Sequence, residues 1–148
     1  MSLYAALFTT FNIVLLAAAI MDLVTSQVYD LFWTAGIFLS AMVFVKYPDI
    51  LPENVVCLII YTAVQEFIMG KVYGRADCHA LCSCAMFLIC SGQSVEVCIF
   101  HFGVSFVLLT VIQSVKHNID IRGRLKKKVP MVPYIAVGFW ITAVIFLP

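Results

Sequence analysis

The sequence is poor in charged residues, which occupy 11% of its 148 positions, against about a quarter in soluble domains. It also has no internal repeat and no low-complexity linker. These absences exclude an ordinary soluble domain and leave no room for a separate soluble module. Because 64% of the residues are hydrophobic, we predict an integral membrane protein in which residues 1–148 form one membrane-embedded domain.

Two further absences concern processing and metals. The amino terminus has no basic region and no small-residue cleavage site, so the first apolar run is predicted to be a retained helix. Six cysteines are present without a Cys-x-x-Cys pair, and Cys78, Cys82 and Cys84 do not suit the four convergent ligands of a zinc site. We therefore expect no metal and no other cofactor, with cysteine serving as an ordinary buried residue.

Six apolar segments predict an all-α, polytopic membrane protein with about six transmembrane helices. Polar or proline-containing turns separate the segments, since proline does not continue a helix. The fourth segment is short for a spanning helix and is expected to borrow residues from its flanks. The predicted spans are 3–21, 31–47, 54–69, 77–91, 95–115 and 130–147.

The basic residues predict how the chain is oriented. Most of the positive charge lies in the tract from Lys116 to Lys128, and short basic loops stay on the cytoplasmic side. Both termini are then extracellular, and Asp22, Asp30 and Asp77 all lie at the cytoplasmic face. The same tract is expected to bind anionic lipid. We expect no nucleic acid partner.

The turn from Lys71 to Leu81 is the first candidate for a functional site. It places Asp77 just after Gly74, at the start of an apolar segment. An ionisable side chain at membrane depth is costly unless it is paired or hydrated, so Asp77 indicates a functional site. Gly74 permits a positive φ, and Ala76 is small enough to keep the approach to Asp77 open.

Asp22 closes the first apolar segment at the same predicted face. Packing of the two helix ends would bring the carboxylates of Asp22 and Asp77 within reach of one water. Two carboxylates that close share a proton, so one can act as general base on water and the other as general acid toward a peptide carbonyl. This is the chemistry of an aspartic protease. The alternative is that both residues are solvated helix termini.

Three stretches of the chain carry a family resemblance. Gly74-Arg75-Ala76-Asp77 resembles the Gly-x-Gly-Asp motif of the type IV prepilin peptidases, bacterial relatives of other intramembrane aspartyl proteases. Asp22 and the polar stretch that ends at Asp30 resemble the family's earlier aspartate, with Val-Tyr-Asp in place of Ile-Pro-Asn. The segment with Pro130 and Pro133 resembles the proline-rich entry to the family's last helix. The resemblance covers nearly the whole chain, in order.

The resemblance implies that Asp22 and Asp77 are the catalytic pair of an endopeptidase. Its partner would be a prepilin or pseudopilin precursor, cut after a glycine that separates a short basic leader from a hydrophobic stem. The protein would lie in the cytoplasmic membrane of a bacterium or archaeon. Larger family members have an additional N-terminal region with Cys-x-x-Cys motifs and an associated N-methyltransferase activity, so we expect cleavage without methylation.

The chain departs from the family pattern at two positions near the motif. Ala76 replaces the second glycine, which puts the local backbone in question, and His79 stands where lysine is usual. Asp30 is an alternative partner for Asp77, because Tyr29-Asp30 resembles the Tyr-Asp of presenilin-like proteases.

The main alternative to an enzyme is a small polytopic transporter that uses Asp77 and Glu66 for proton coupling. Such transporters favour inverted repeats or interrupted helices, and neither is evident. Glu66 could also line the site, order Lys71 or simply reach the interface. Gly103 and Ser105, near His101 in the fifth segment, faintly resemble a serine intramembrane protease, but packing by small residues accounts for them better.

Overall fold

A computed structural model of the chain describes residues 2–46, 50–72, 74–119 and 129–147, with only the backbone described for 115–119. The described residues form six α-helices and one short 3₁₀-helix, with no strand. This confirms the predicted all-α class. The helices are α1 (Leu3–Thr25), α2 (Asp30–Lys46), α3 (Pro52–Phe67), α4 (Arg75–Cys90), α5 (Val95–Ile119) and α6 (Val132–Phe146), and the 3₁₀-helix is Met69–Lys71.

The helix ends differ from the predicted spans in ways that matter for the site. α1 continues to Thr25 and ends at Ser26, which has a left-handed φ of 53°. Asp22 therefore lies inside the last turn of α1 and does not close it. α4 begins at Arg75, so Asp77 lies within its first turn. No glycine or proline lies between Asp22 and Thr25, and a single polar residue is not enough to end a helix.

Three helical segments in the described part of the chain are long and apolar enough to cross a membrane: Leu3–Thr25, Pro52–Lys71 and Val95–Ser114. Large apolar side chains are exposed on the helix surfaces, including Val24, Val45 and Val144, each at least 78% exposed. The helices α2, α4 and α6 have 17, 16 and 15 residues. Each is shorter than the roughly 20 residues that cross a bilayer without help from flanking residues.

The core is organised around α4. This helix packs against α2, α3, α5 and α6, and ten of its 16 residues are buried. Its buried face is rich in small side chains such as Ala80, Ser83 and Ala85, which let neighbouring helices approach closely. The helix that carries Asp77 is consequently the most enclosed element of the fold.

Aromatic side chains join α1, α4 and α6 in the interior. The rings of Phe11 and Phe87 stack with their centroids 4.3 Å apart, and Phe139 lies 5.1 Å from Phe11. All three are buried. Ring pairs of this kind contribute about 0.5–1.5 kcal/mol beyond the area they bury. They hold together the three helices from which the candidate site is built.

Small residues also bring α5 and α6 together. A Cβ at Gly138 would collide with Ser105 Oγ, and it would lie 3.3 Å from both Cα and Cβ of Ser105. His101, also buried on α5, has Nε2 3.2 Å from the carbonyl oxygen of Ile135 on α6. The packing prediction thus fits Ser105. It does not fit Gly103, which is exposed and has no atom within 4 Å of a would-be Cβ.

Candidate functional site

A cavity of about 640 Å³ lies where the end of α1, the start of α4 and the segment before α6 converge. Its exposed lining residues, such as Gln27 and Arg75, show that it opens to the surface. The lining residues are Asp22, Ser26, Gln27, Val28, Tyr29, Gly74, Arg75, Ala76, Asp77, Leu109, Gln113, Val129, Pro130 and Met131. Asp22, Asp77 and four of the seven site-shaping residues predicted from the sequence therefore share one cavity.

Asp22 is buried and hydrogen-bonded to the start of α6. Its Oδ2 accepts a hydrogen bond of 3.1 Å from the backbone N–H of Val132. The first amides of a helix have no partner inside the helix and carry a partial positive charge. Because Pro133 has no N–H, Val132 is one of the few donors that this terminus offers. The start of α6 thus satisfies a carboxylate that the negative end of α1 would disfavour.

Asp77 owes its place to the turn at Gly74. Gly74 is the N-cap of α4 and has a φ of 115°, a conformation that glycine adopts without strain. A Cβ at Gly74 would lie 3.6 Å from Asp77 Oδ2, so the turn brings the backbone close to that carboxyl group. The positive-φ prediction for Gly74 is confirmed.

Ala76 is compatible with the turn although it replaces the second glycine of the resembled motif. It is the second residue of α4, and the described non-glycine residues include only one with a positive φ, Ser26. A helical conformation suits alanine better than glycine. The substitution therefore causes no backbone conflict.

The two aspartates line the same cavity although they come from helices that are distant in sequence. Asp22 lies in the last turn of α1 and Asp77 in the first turn of α4. The cavity thus contains two acids and opens to the surface.

His79, Asp30 and Glu66 form a separate cluster beside the cavity. His79 Nε2 lies 2.9 Å from Glu66 Oε1, and His79 Nδ1 lies 3.7 Å from Asp30 Oδ1. Neither acid is among the described residues that line the cavity. The structure thus places Asp30 beside His79, and the described contact of Glu66 is with His79 and not with Lys71.

The prolines and the basic tract have different placements. Pro130 lines the cavity, whereas Pro133 lies in the first turn of α6 and acts on the site only by shaping that terminus. The tract from Lys116 to Lys128 lies outside the described side chains, so its predicted role in lipid binding stays a prediction. In the described part of the chain, no three His, Cys, Asp or Glu residues are grouped as metal ligands.

Sequence reasoning did not identify the hydrogen bond that holds Asp22 or the lining that α5 contributes to the cavity. The N–H of Val132 is a main-chain donor, and no residue type identifies such a donor in advance. Gln113 lines the cavity from α5. Its signal was present in the sequence, because it is a polar residue within the fifth apolar segment.

The fold and the site define a class: an all-helical protein with membrane-compatible helices and two acidic residues in one open cavity. Comparison of the chain with protein-family models, with curated proteins and with solved structures finds no match.

Proposed function

We propose that this chain is an aspartic endopeptidase with six transmembrane helices, and that it removes short basic leaders from type IV prepilin-like precursors at the cytoplasmic face of a bacterial or archaeal membrane. The observation that carries the proposal is that Asp22 and Asp77 line the same cavity. The motif resemblance at Gly74 to Asp77 supplies the substrate class. Cleavage after a glycine at the end of the leader follows from that resemblance.

In the proposed mechanism, the two carboxyl groups hold one water between them. One ionised carboxylate takes a proton from the water as its oxygen attacks the scissile carbonyl, and the other, protonated carboxyl donates its proton to the substrate. The tetrahedral intermediate then collapses, the C–N bond breaks and the leaving amine takes up a proton. Because the Val132 N–H donates to Asp22, it favours the ionised group there, and we assign the base to Asp22 and the acid to Asp77.

The cavity suits an extended peptide that enters from the cytoplasmic side. Its rim carries polar groups at Gln27, Tyr29 and Gln113, which can pair with peptide groups of a substrate. A helical segment must unwind before it is cut, because the backbone amides of a helix are otherwise all bonded within it. A site at the boundary between membrane and cytosol supplies the water that this requires.

A test uses purified protein in detergent and a synthetic prepilin segment with a basic leader, a glycine and an apolar stem. Asp22→Asn and Asp77→Asn are each expected to lower cleavage by about 100- to 10,000-fold, the usual contribution of a general acid or base. Glu53→Gln, an acid-to-amide change at the exposed start of α3, serves as the control and should cleave normally. Near-normal cleavage by a folded Asp22→Asn variant would contradict the assignment.

A proton-coupled transporter that uses Asp77 and Glu66 has less support. Glu66 contacts His79 and is not among the described residues that line the cavity with Asp77. The same detergent assay separates the two functions, because cleavage needs no sealed compartments and transport does.

A further inference from the structure

His79 connects three helices at the end of the bundle that holds the site. It lies in the second turn of α4, and its two ring nitrogens face carboxylates on α3 and α2, at 2.9 Å from Glu66 and 3.7 Å from Asp30. The ring of His79 can donate an N–H to the Glu66 carboxylate, whereas Asp30 lies beyond hydrogen-bond distance.

The position of Glu66 explains why it needs a donor. Glu66 lies in the last turn of α3, where the free carbonyl groups form the negative end of the helix dipole. That turn contains no basic residue of its own, and the Glu66 side chain is only 31% exposed. Arg75 lines a second cavity together with Glu66, whereas His79 on α4 contacts the Glu66 carboxylate directly. The contact between His79 and Glu66 joins the end of α3 to the start of α4.

The first turn of α4 is buried at Cys78 but has no side-chain cap. Its N-cap, Gly74, makes no side-chain hydrogen bond, and the N–H of Cys78 reaches the carbonyl of Gly74 at 3.3 Å. Helix termini without a side-chain cap fray more readily. Asp77 lies in this turn, two residues before His79. Fraying here would move Asp77 away from Asp22.

We propose that His79 is a positioning residue: through its contact with Glu66 at the end of α3, it fixes the first two turns of α4 so that Asp77 stays in the cavity with Asp22. His79 is not among the described residues that line the cavity, so it acts through Asp77. The effect on catalysis rests on the proposed peptidase function. The effect on the order of α4 does not.

The kinetic arm of the test compares three substitutions. His79→Phe removes the ring N–H groups and is expected to lower kcat about 10- to 100-fold, the scale of a small misplacement of a catalytic group. KM should change less than kcat, because His79 is not among the described residues that line the cavity. His79→Lys and His79→Gln each keep a donor that can reach Glu66, and each should restore part of the activity. Failure of both variants to restore any activity would overturn the role of this contact.

Glu66 provides a second, independent variant. Glu66→Gln should reproduce the loss seen with His79→Phe, and the double variant should be no worse than either single one, since both remove the same contact. Glu53→Gln is the matched control, because Glu53 lies at the opposite end of α3, where the dipole favours an acid. Losses that are fully additive in the double variant would overturn the pairing of His79 with Glu66. If one His79 variant does not fold, another His79 variant allows the same comparison.

Amide hydrogen exchange provides a measure that does not depend on cleavage. Peptides that cover residues 75–79 should exchange faster in His79→Phe than in the wild type, while the half of α4 around Phe87 should be unchanged. If the wild type does not cleave, the peptidase function fails and the exchange result still decides the role of His79. Unchanged exchange at 75–79 together with unchanged kcat would overturn the proposal.

Discussion

The Asp22 carboxylate on α1 accepts a hydrogen bond of 3.1 Å from the Val132 N–H at the start of α6. This contact joins the first and last helices of the chain. It also gives Asp22 a structural role in addition to its proposed catalytic one. Substitutions can separate the two roles, because an amide side chain keeps an acceptor oxygen and a methyl group does not.

Asp22→Ala is expected to lower the free energy of unfolding by about 1–3 kcal/mol, because it leaves the buried Val132 N–H without a partner. Asp22→Asn should lower it by less, since its side-chain oxygen can still accept this bond. Both variants should lack cleavage activity. Unfolding by a denaturing detergent, followed by tryptophan fluorescence from the buried Trp33 and the more exposed Trp140, measures the difference. Equal stability of the two variants would show that the bond contributes little.

Asp30→Asn tests whether Asp30 or Asp22 is the partner of Asp77. The Asp30 side chain is 89% exposed and lies beside His79, so this variant should retain cleavage within about threefold of wild type, as expected for a weak surface contact. Asp22→Asn, measured in parallel in the same assay, should be inactive. A loss in Asp30→Asn as large as that in Asp22→Asn would instead favour Asp30 as the catalytic partner.

Most of the helical architecture was predictable, because long apolar runs broken by proline or polar turns have few other solutions. The predicted first span ends at residue 21, four residues before the observed end of α1 at Thr25, because the prediction ends the helix at Asp22. Charge alone does not end a helix that has tertiary partners. Here the Val132 amide stabilises Asp22 inside the helix.

The site could be predicted only where a residue type by itself indicates a local conformation or a chemical role. Gly74 before Asp77 indicated a turn at the start of a helix, and that turn is present with a φ of 115°. The contact between His79 and Glu66 was not predicted, because it depends on how the end of α3 packs on α4. Contacts between distant helices are decided by packing, and a linear pattern does not reveal them.

Gly138→Ala is expected to loosen the packing of α5 on α6. The added methyl group would collide with Ser105 Oγ, which is itself bonded to the His101 carbonyl at 2.8 Å, and would crowd the Ser105 backbone. Overpacking of this kind costs about 1–3 kcal/mol. Gly103→Ala is the control, since Gly103 is exposed with no atom near a would-be Cβ. Equal stability of the two variants in detergent unfolding would contradict the close packing of these helices.

Reporter fusions test the number of membrane crossings. Six crossings place both termini on one face and the basic tract from Lys116 to Lys128 on the other. The three long helical segments alone would give an odd number of crossings and put the termini on opposite faces. We expect reporters at both ends to be active only outside the cytoplasm, and a reporter inserted in the basic tract to be active only inside it. If the terminal reporters disagree, at least one of α2, α4 and α6 does not cross, and the proposed cytoplasmic position of Asp22 and Asp77 would have to be abandoned.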